Sequence, residues 1–149
     1  MIEFNSKMPS AIVLDENEQN FDITNLPNDF LVVSVIRSIT DANSIKQSHR
    51  LNQEAKNLPE VTFVTISTNL MTDIKTWALE EELTEFTLLS DVNKDFGQVF
   101  DIYHEDEQYD QNSVFIFDQN KNLVYQEIID DGANPNYDAE IGNLKLMMD

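Results

Sequence analysis

The run Phe30-Leu-Val-Val-Ser-Val-Ile36 is almost continuously apolar and rich in valine. A half-buried strand alternates apolar with polar residues, so an unbroken run of this length predicts a strand buried on both faces of a sheet. Such a strand needs cover on each side, and the segments around it supply helices. Ile45, Ser48, Leu51, Ala55 and Leu58 recur at three- and four-residue spacing. That predicts a helix over Ser44 to Leu58, with Pro59 as its stop signal. A second strand follows at Val61-Thr-Phe-Val-Thr-Ile-Ser67, rich in β-branched residues.

The remaining segments extend the alternation. Ala11 to Leu14 reads as a short strand, then a polar turn over Asp15 to Asn20 leads to Phe21-Asp-Ile-Thr24. Met71 to Leu83 reads as a helix with Met71, Ile74, Trp77 and Ala78 on one face. Phe86 to Leu89 is a short strand, Phe96 to Phe100 a short helix, and Tyr103 to Asn112 a polar, acidic loop. Ser113 to Asp118 and Leu123 to Ile129 form a hairpin around Gln119-Asn-Lys-Asn122, and Tyr137 to Met148 is a terminal helix. The order is β-β-α-β-α-β-α-β-β-α. Strands linked through helices are expected to be parallel with right-handed crossovers, while the hairpin adds an antiparallel part. The expectation is an α/β protein, one domain over residues 1–149, with a central mixed sheet and helices on both faces.

Composition narrows the function. The 149 residues contain no cysteine, which excludes disulfides and thiolate chemistry by the chain's own side chains. The formal net charge is -19. It is unevenly spread, with the second half far more acidic than the first. This charge repels phosphate backbones and anionic lipid, so nucleic acid and membranes are excluded as partners and a basic protein is favoured. The N-terminal residues lack the basic region and apolar core of a signal peptide, and the chain is expected to be soluble and cytoplasmic. Asp91 to Gly97 misses a calcium loop, since Phe96 stands where that loop needs glycine. No phosphate-binding glycine loop or zinc motif is present, so neither a cofactor nor a metal is expected.

Several segments in fixed order resemble one family. Ile36-Arg-Ser-Ile-Thr-Asp-Ala-Asn-Ser44 resembles the active-site loop of the thiol peroxidases, within the peroxiredoxin superfamily. His49-Arg-Leu-Asn52, Val64-Thr-Ile-Ser67, Phe86 to Asp91 with Phe96-Gly97, the hairpin and Asp138 to Lys145 continue the resemblance. It implies a thioredoxin-like fold and a homodimer. It also implies which residues stand at the positions of the chemistry. The attacking cysteine falls on Ser44, the threonine that positions peroxide on Asp41, the arginine that lowers the thiol pKa on Asn112, and the resolving cysteine on Ala78. The loop's proline falls on Arg37. Each reactive group is replaced, with the positive charge lost at Asn112. The resemblance therefore implies a pseudoenzyme with a binding or regulatory role.

Other readings of the same residues stay open. Asp41, Asn43 and Ser44 are each able to cap the following helix. A helix start is also able to hold an anion. A serine nucleophile would need a base, and neither His49 nor His104 is obviously placed to serve. The alternatives are an antioxidant oxidoreductase, as family membership alone implies, and a non-redox enzyme that reuses a pocket of Asp41, Ser44, Asn112 and His49. A closed pocket filled by side chains would favour the pseudoenzyme; an open one with a shifted carboxylate would favour the enzyme.

Overall fold

The structure is a computed structural model and describes residues 2–148. The chain runs β1 (Ile12–Leu14), β2 (Asn20–Asp22), β3 (Phe30–Val35), α1 (Ala42–Lys56), β4 (Val61–Ser67), α2 (Met71–Glu80) and β5 (Phe86–Ser90). It continues through α3 (Asp95–Val99), β6 (Tyr103–His104), β7 (Tyr109–Asp110), β8 (Ser113–Phe117), β9 (Leu123–Ile128) and α4 (Tyr137–Met148). One sheet has the strand order β2-β1-β5-β4-β3-β8-β9. β3, β4 and β5 are parallel, and β8, β9, β1 and β2 join antiparallel, so the sheet is mixed as expected.

β3 lies inside the sheet between β4 and β8, and its side chains divide between two cores. Leu31, Val33 and Val35 join Val64, Phe96, Phe100 and Phe115 on one face. Val32 and Ile36 join Leu51, Phe63, Trp77 and Leu144 on the other. The period-2 alternation of a strand sends successive residues to opposite faces, and here both faces are buried, which is why the run lacks polar breaks.

Three of the differences from the expected element limits have a clear local cause. α1 starts at Ala42, because the Asp41 side chain accepts from the Ser44 N–H and caps the helix two residues earlier than expected. α2 ends at Glu80; Glu82 turns left-handed at φ 58°, and the Leu83 N–H folds back onto the Ala78 carbonyl. The acidic segment Tyr103 to Asn112 is in part a two-stranded hairpin, with Tyr103 opposite Asp110 and His104 opposite Tyr109. Its strands are two residues each, too short for a periodic pattern to show.

Two carboxyl pairs lie within this frame, one fully buried and one with a single buried member. Asp110 is fully buried, and among the described residues no N–H or O–H donor reaches either of its oxygens. It faces Asp91, which caps α3 by accepting from the N–H groups of Phe96 and Gly97 at 2.8 Å each. Ionised carboxylates only accept hydrogen bonds, so the pair bonds only by sharing a proton. Burial pushes Asp110 up to about 9, reinforced by the neighbouring Asp91, while burial also raises Asp91 against the pull of its two backbone donors. Gly97 leaves space for this contact, since a Cβ there would lie 1.8 Å from Asp110 Oδ1. Glu140 of α4 repeats the arrangement: fully buried, facing Glu127, and pushed up to about 9 chiefly by burial.

Both acids stay protonated in the fold far above the pH at which they ionise in the unfolded chain. The unfolded state thus binds fewer protons, and stability falls as pH rises from about 4 to about 9. Urea denaturation at pH 5.5 and 8.5 should give the higher midpoint at pH 5.5. Asp110→Asn with Glu140→Gln, which keeps neutral donors in place, should flatten that difference. Gly97→Ala should cost about 3 kcal/mol through overpacking against Asp110.

Candidate functional site

The site lies where β3 delivers the chain into α1. The Ile36 N–H bonds to the Ile66 carbonyl at 2.9 Å, holding the strand end in the sheet. The loop Arg37 to Thr40 is then tied by Ser38 Oγ to Thr40 Oγ1 at 3.0 Å and by the Ile39 N–H to Asn69 Oδ1 at 3.1 Å. Asp41 closes the loop and opens the helix. Its Oδ2 accepts from the Ser44 N–H at 3.0 Å and from Ser44 Oγ at 2.8 Å.

Ser44 is fully buried, and its hydroxyl is committed twice. It donates to Asp41 and accepts from Asn112 Nδ2 at 3.0 Å. The same Asn112 amide reaches Gln47 Oε1 at 3.4 Å. Gln47 Nε2 donates to Ser34 Oγ at 2.9 Å and to the Val35 carbonyl at 3.3 Å. One network therefore joins α1, β3 and the Asn112 turn that precedes β8. Asp41, Ser44 and Asn112 come together. Ala78 does not join them; it is buried in the core beside Ile74 and Trp77.

The neighbourhood holds a cation that sequence reasoning missed. Arg37 stands at the rim of the same depression, 34% exposed, with its guanidinium 4.1 Å from the centre of the Tyr109 ring. It pairs with Glu107 at 3.2 Å and lies 3.7 Å from Asp131. The positive charge expected to be absent from the site is thus present at its edge, neutralised by two carboxylates. The enclosed space between Arg37, Asp41, Gln47 and Asn112 is about 30 Å³, room for roughly one water molecule.

Neither histidine serves this site. His49 Nε2 bonds to Glu81 Oε1 at 2.6 Å beyond the end of α2. His104 Nε2 bonds to Gln111 Oε1 at 2.7 Å and stacks on Tyr109. Among the described residues no group of three or more His, Asp or Glu is arranged to hold a metal ion. The strongly shifted carboxylates, Asp110 and Glu140, belong to other clusters. Gln47 was missed as well. Its signal is present, since it falls three residues after Ser44 on the buried stripe of α1.

A fully packed polar cluster at a strand-to-helix junction, on this mixed sheet, sets the frame for comparison. Residues 4–126 match the sequence profile of the AhpC/TSA family. The chain belongs to that family. The thiol peroxidase of Oceanobacillus iheyensis is 30% identical over 138 residues, covering 91% of this chain and 84% of that protein. The thiol peroxidase of Bacillus subtilis is 28% identical over 149 residues, covering 99% and 89%. Among solved structures, a peroxiredoxin-like protein from Aquifex aeolicus superposes with a TM-score of 0.87 at 16% identity, covering 98% of this chain and 88% of that one. A thiol peroxidase from Chromobacterium violaceum gives 0.85 at 15% identity, covering 100% and 90%. This is a thiol-peroxidase-like member of the peroxiredoxin superfamily with a thioredoxin-like fold, and it has no cysteine. No helix among the described residues is long and apolar enough to cross a membrane.

The network makes a quantitative claim about Asp41 and Ser44. Asp41→Ala should destabilise by about 1–2 kcal/mol through loss of the cap, and Ser44→Ala by about 1 kcal/mol. The double variant should cost less than the sum, because both changes delete the same 2.8 Å bond. Urea denaturation of the four proteins measures it.

Proposed function

We propose that this chain is a pseudoenzyme of the thiol peroxidase group, acting as a binding or regulatory module. The observation that carries the reading is the state of Ser44: a buried hydroxyl closed between Asp41 and Asn112. Peroxide reduction needs a thiolate that attacks oxygen and passes through a sulfenic acid. Serine has no such oxidation state, and its alkoxide has no useful population near neutral pH. The depression beside this cluster has room for roughly one water molecule, and the Arg37 guanidinium at its rim is paired with Glu107 and Asp131. A homodimer formed through the face around Arg37 to Thr40 belongs to this reading and rests on the family alone. A cytoplasmic location belongs to the same proposal.

Purified protein should not consume hydrogen peroxide or an alkyl hydroperoxide when supplied with thioredoxin and its reductase. Turnover above a heat-inactivated control overturns the proposal. Ser44→Cys alone should remain silent, since the new thiol would be buried and would face the Asp41 carboxylate, which disfavours the thiolate. Combining it with Asp41→Thr and Asn112→Arg asks whether the scaffold still supports the reaction. Sedimentation velocity reads the dimer.

A further inference from the structure

β5 is paired with β4 along its whole length but meets β1 at one position, Ser90 opposite Leu14. The Asp91 N–H donates to the Ser67 carbonyl at 2.7 Å, which fixes the direction of the alternating backbone groups. Residues 87, 89 and 91 aim theirs at β4, so Phe86 and Leu88 aim N–H and C=O toward the open side. Among the described residues no strand takes them up. The Leu88 N–H meets only the Glu16 carboxylate, at 3.4 Å. Phe86 and Leu88 are themselves 9% and 7% exposed, so these groups open only toward the neighbouring recess, and backbone groups left over at a strand edge are a template for another strand.

The edge borders a depression of about 340 Å³ floored by Ala78, Leu83, Phe86 and Leu88. Leu79 stands at its lip, 81% exposed, the most exposed of the large apolar side chains described. The charged border is Glu16 and Glu82, with Lys75 turned onto the Glu16 carbonyl at 3.1 Å. Three features thus coincide: backbone groups that no strand takes up, an apolar recess and a border carrying Glu16 and Glu82.

We propose that this edge and recess form a docking site for an extended, basic segment of a partner protein. The segment adds to β5 as a short strand, seats one apolar side chain against Leu79 and Leu83, and sets Lys or Arg against Glu16 and Glu82. Backbone hydrogen bonds supply affinity and the recess supplies selectivity, as in other strand additions. Glu16 holds the Leu88 N–H until the strand arrives and then pairs with its cation. A second copy of this chain is a poor occupant, since it carries the same net charge of -19. The inference is independent of the Ser44 reading, because peroxide turnover does not report on β5.

The test uses the peptide acetyl-Lys-Val-Lys-Leu-Lys-Val-Lys-amide and ¹⁵N-labelled full-length protein. Saturable amide shifts are expected at Phe86 to Leu89 and at Leu79. Leu79→Asp, a change at an exposed position that leaves the core intact, should weaken binding at least tenfold. Raising salt from 0.05 to 0.3 M should also weaken it. Methylating the backbone nitrogens of the Val and Leu residues should abolish it. Shifts spread over the acidic surface without saturation at Phe86 and Leu88 would overturn the site, as would equal binding of the methylated peptide. Self-association that disappears with Leu79→Asp would give the edge to a second copy and overturn the proposed partner.

Discussion

The fold depends on β3 being paired on both edges and covered on both faces. β4 takes one edge in parallel, β8 takes the other antiparallel, and the two cores take alternate side chains. A strand so confined fixes where the chain emerges. Arg37 to Thr40 must turn within four residues, and the Asp41 cap then starts α1 over the end of the sheet. The network from Ser34 through Gln47 and Asn112 to Ser44 is a consequence of that confinement. It satisfies polar groups placed where water is excluded, since each would cost about 1–3 kcal/mol unpaired.

Much of this was legible in the residues. The valine-rich run, the helical stripe after it and the β-branched run at Val61 to Ser67 carry strong periodic signals, and each became the expected element. The helix start was legible in kind, with three candidate caps; the geometry selected Asp41. The hairpin at Tyr103 to Asp110 was not legible. Its pairing is set by contacts distant in sequence, with Tyr109 packed under Arg37 and Asp110 beside Asp91. A local pattern records neither. The location of Arg37 escaped for the same reason: its place in the loop was visible, but not that the loop brings it to Asn112.

The polar groups at the start of α1 are held chiefly by one another. The junction is capped by Asp41 and hydrogen-bonded through Ser44, Gln47 and Asn112. Asp41, Ser44 and Asn112 are joined in one chain of hydrogen bonds. The polar groups kept out of their ordinary ionisation state lie elsewhere, beneath α3 and α4, where they serve packing.

Those buried acids change what the charge count means. Burial favours the protonated forms of Asp110, beside Asp91, and of Glu140, so the folded chain at neutral pH carries fewer negative charges than its formal -19. Unfolding hands those protons to the solvent. The heat absorbed on melting therefore includes the heat of protonating whatever buffer receives them, and its apparent value belongs to the protein and its buffer together.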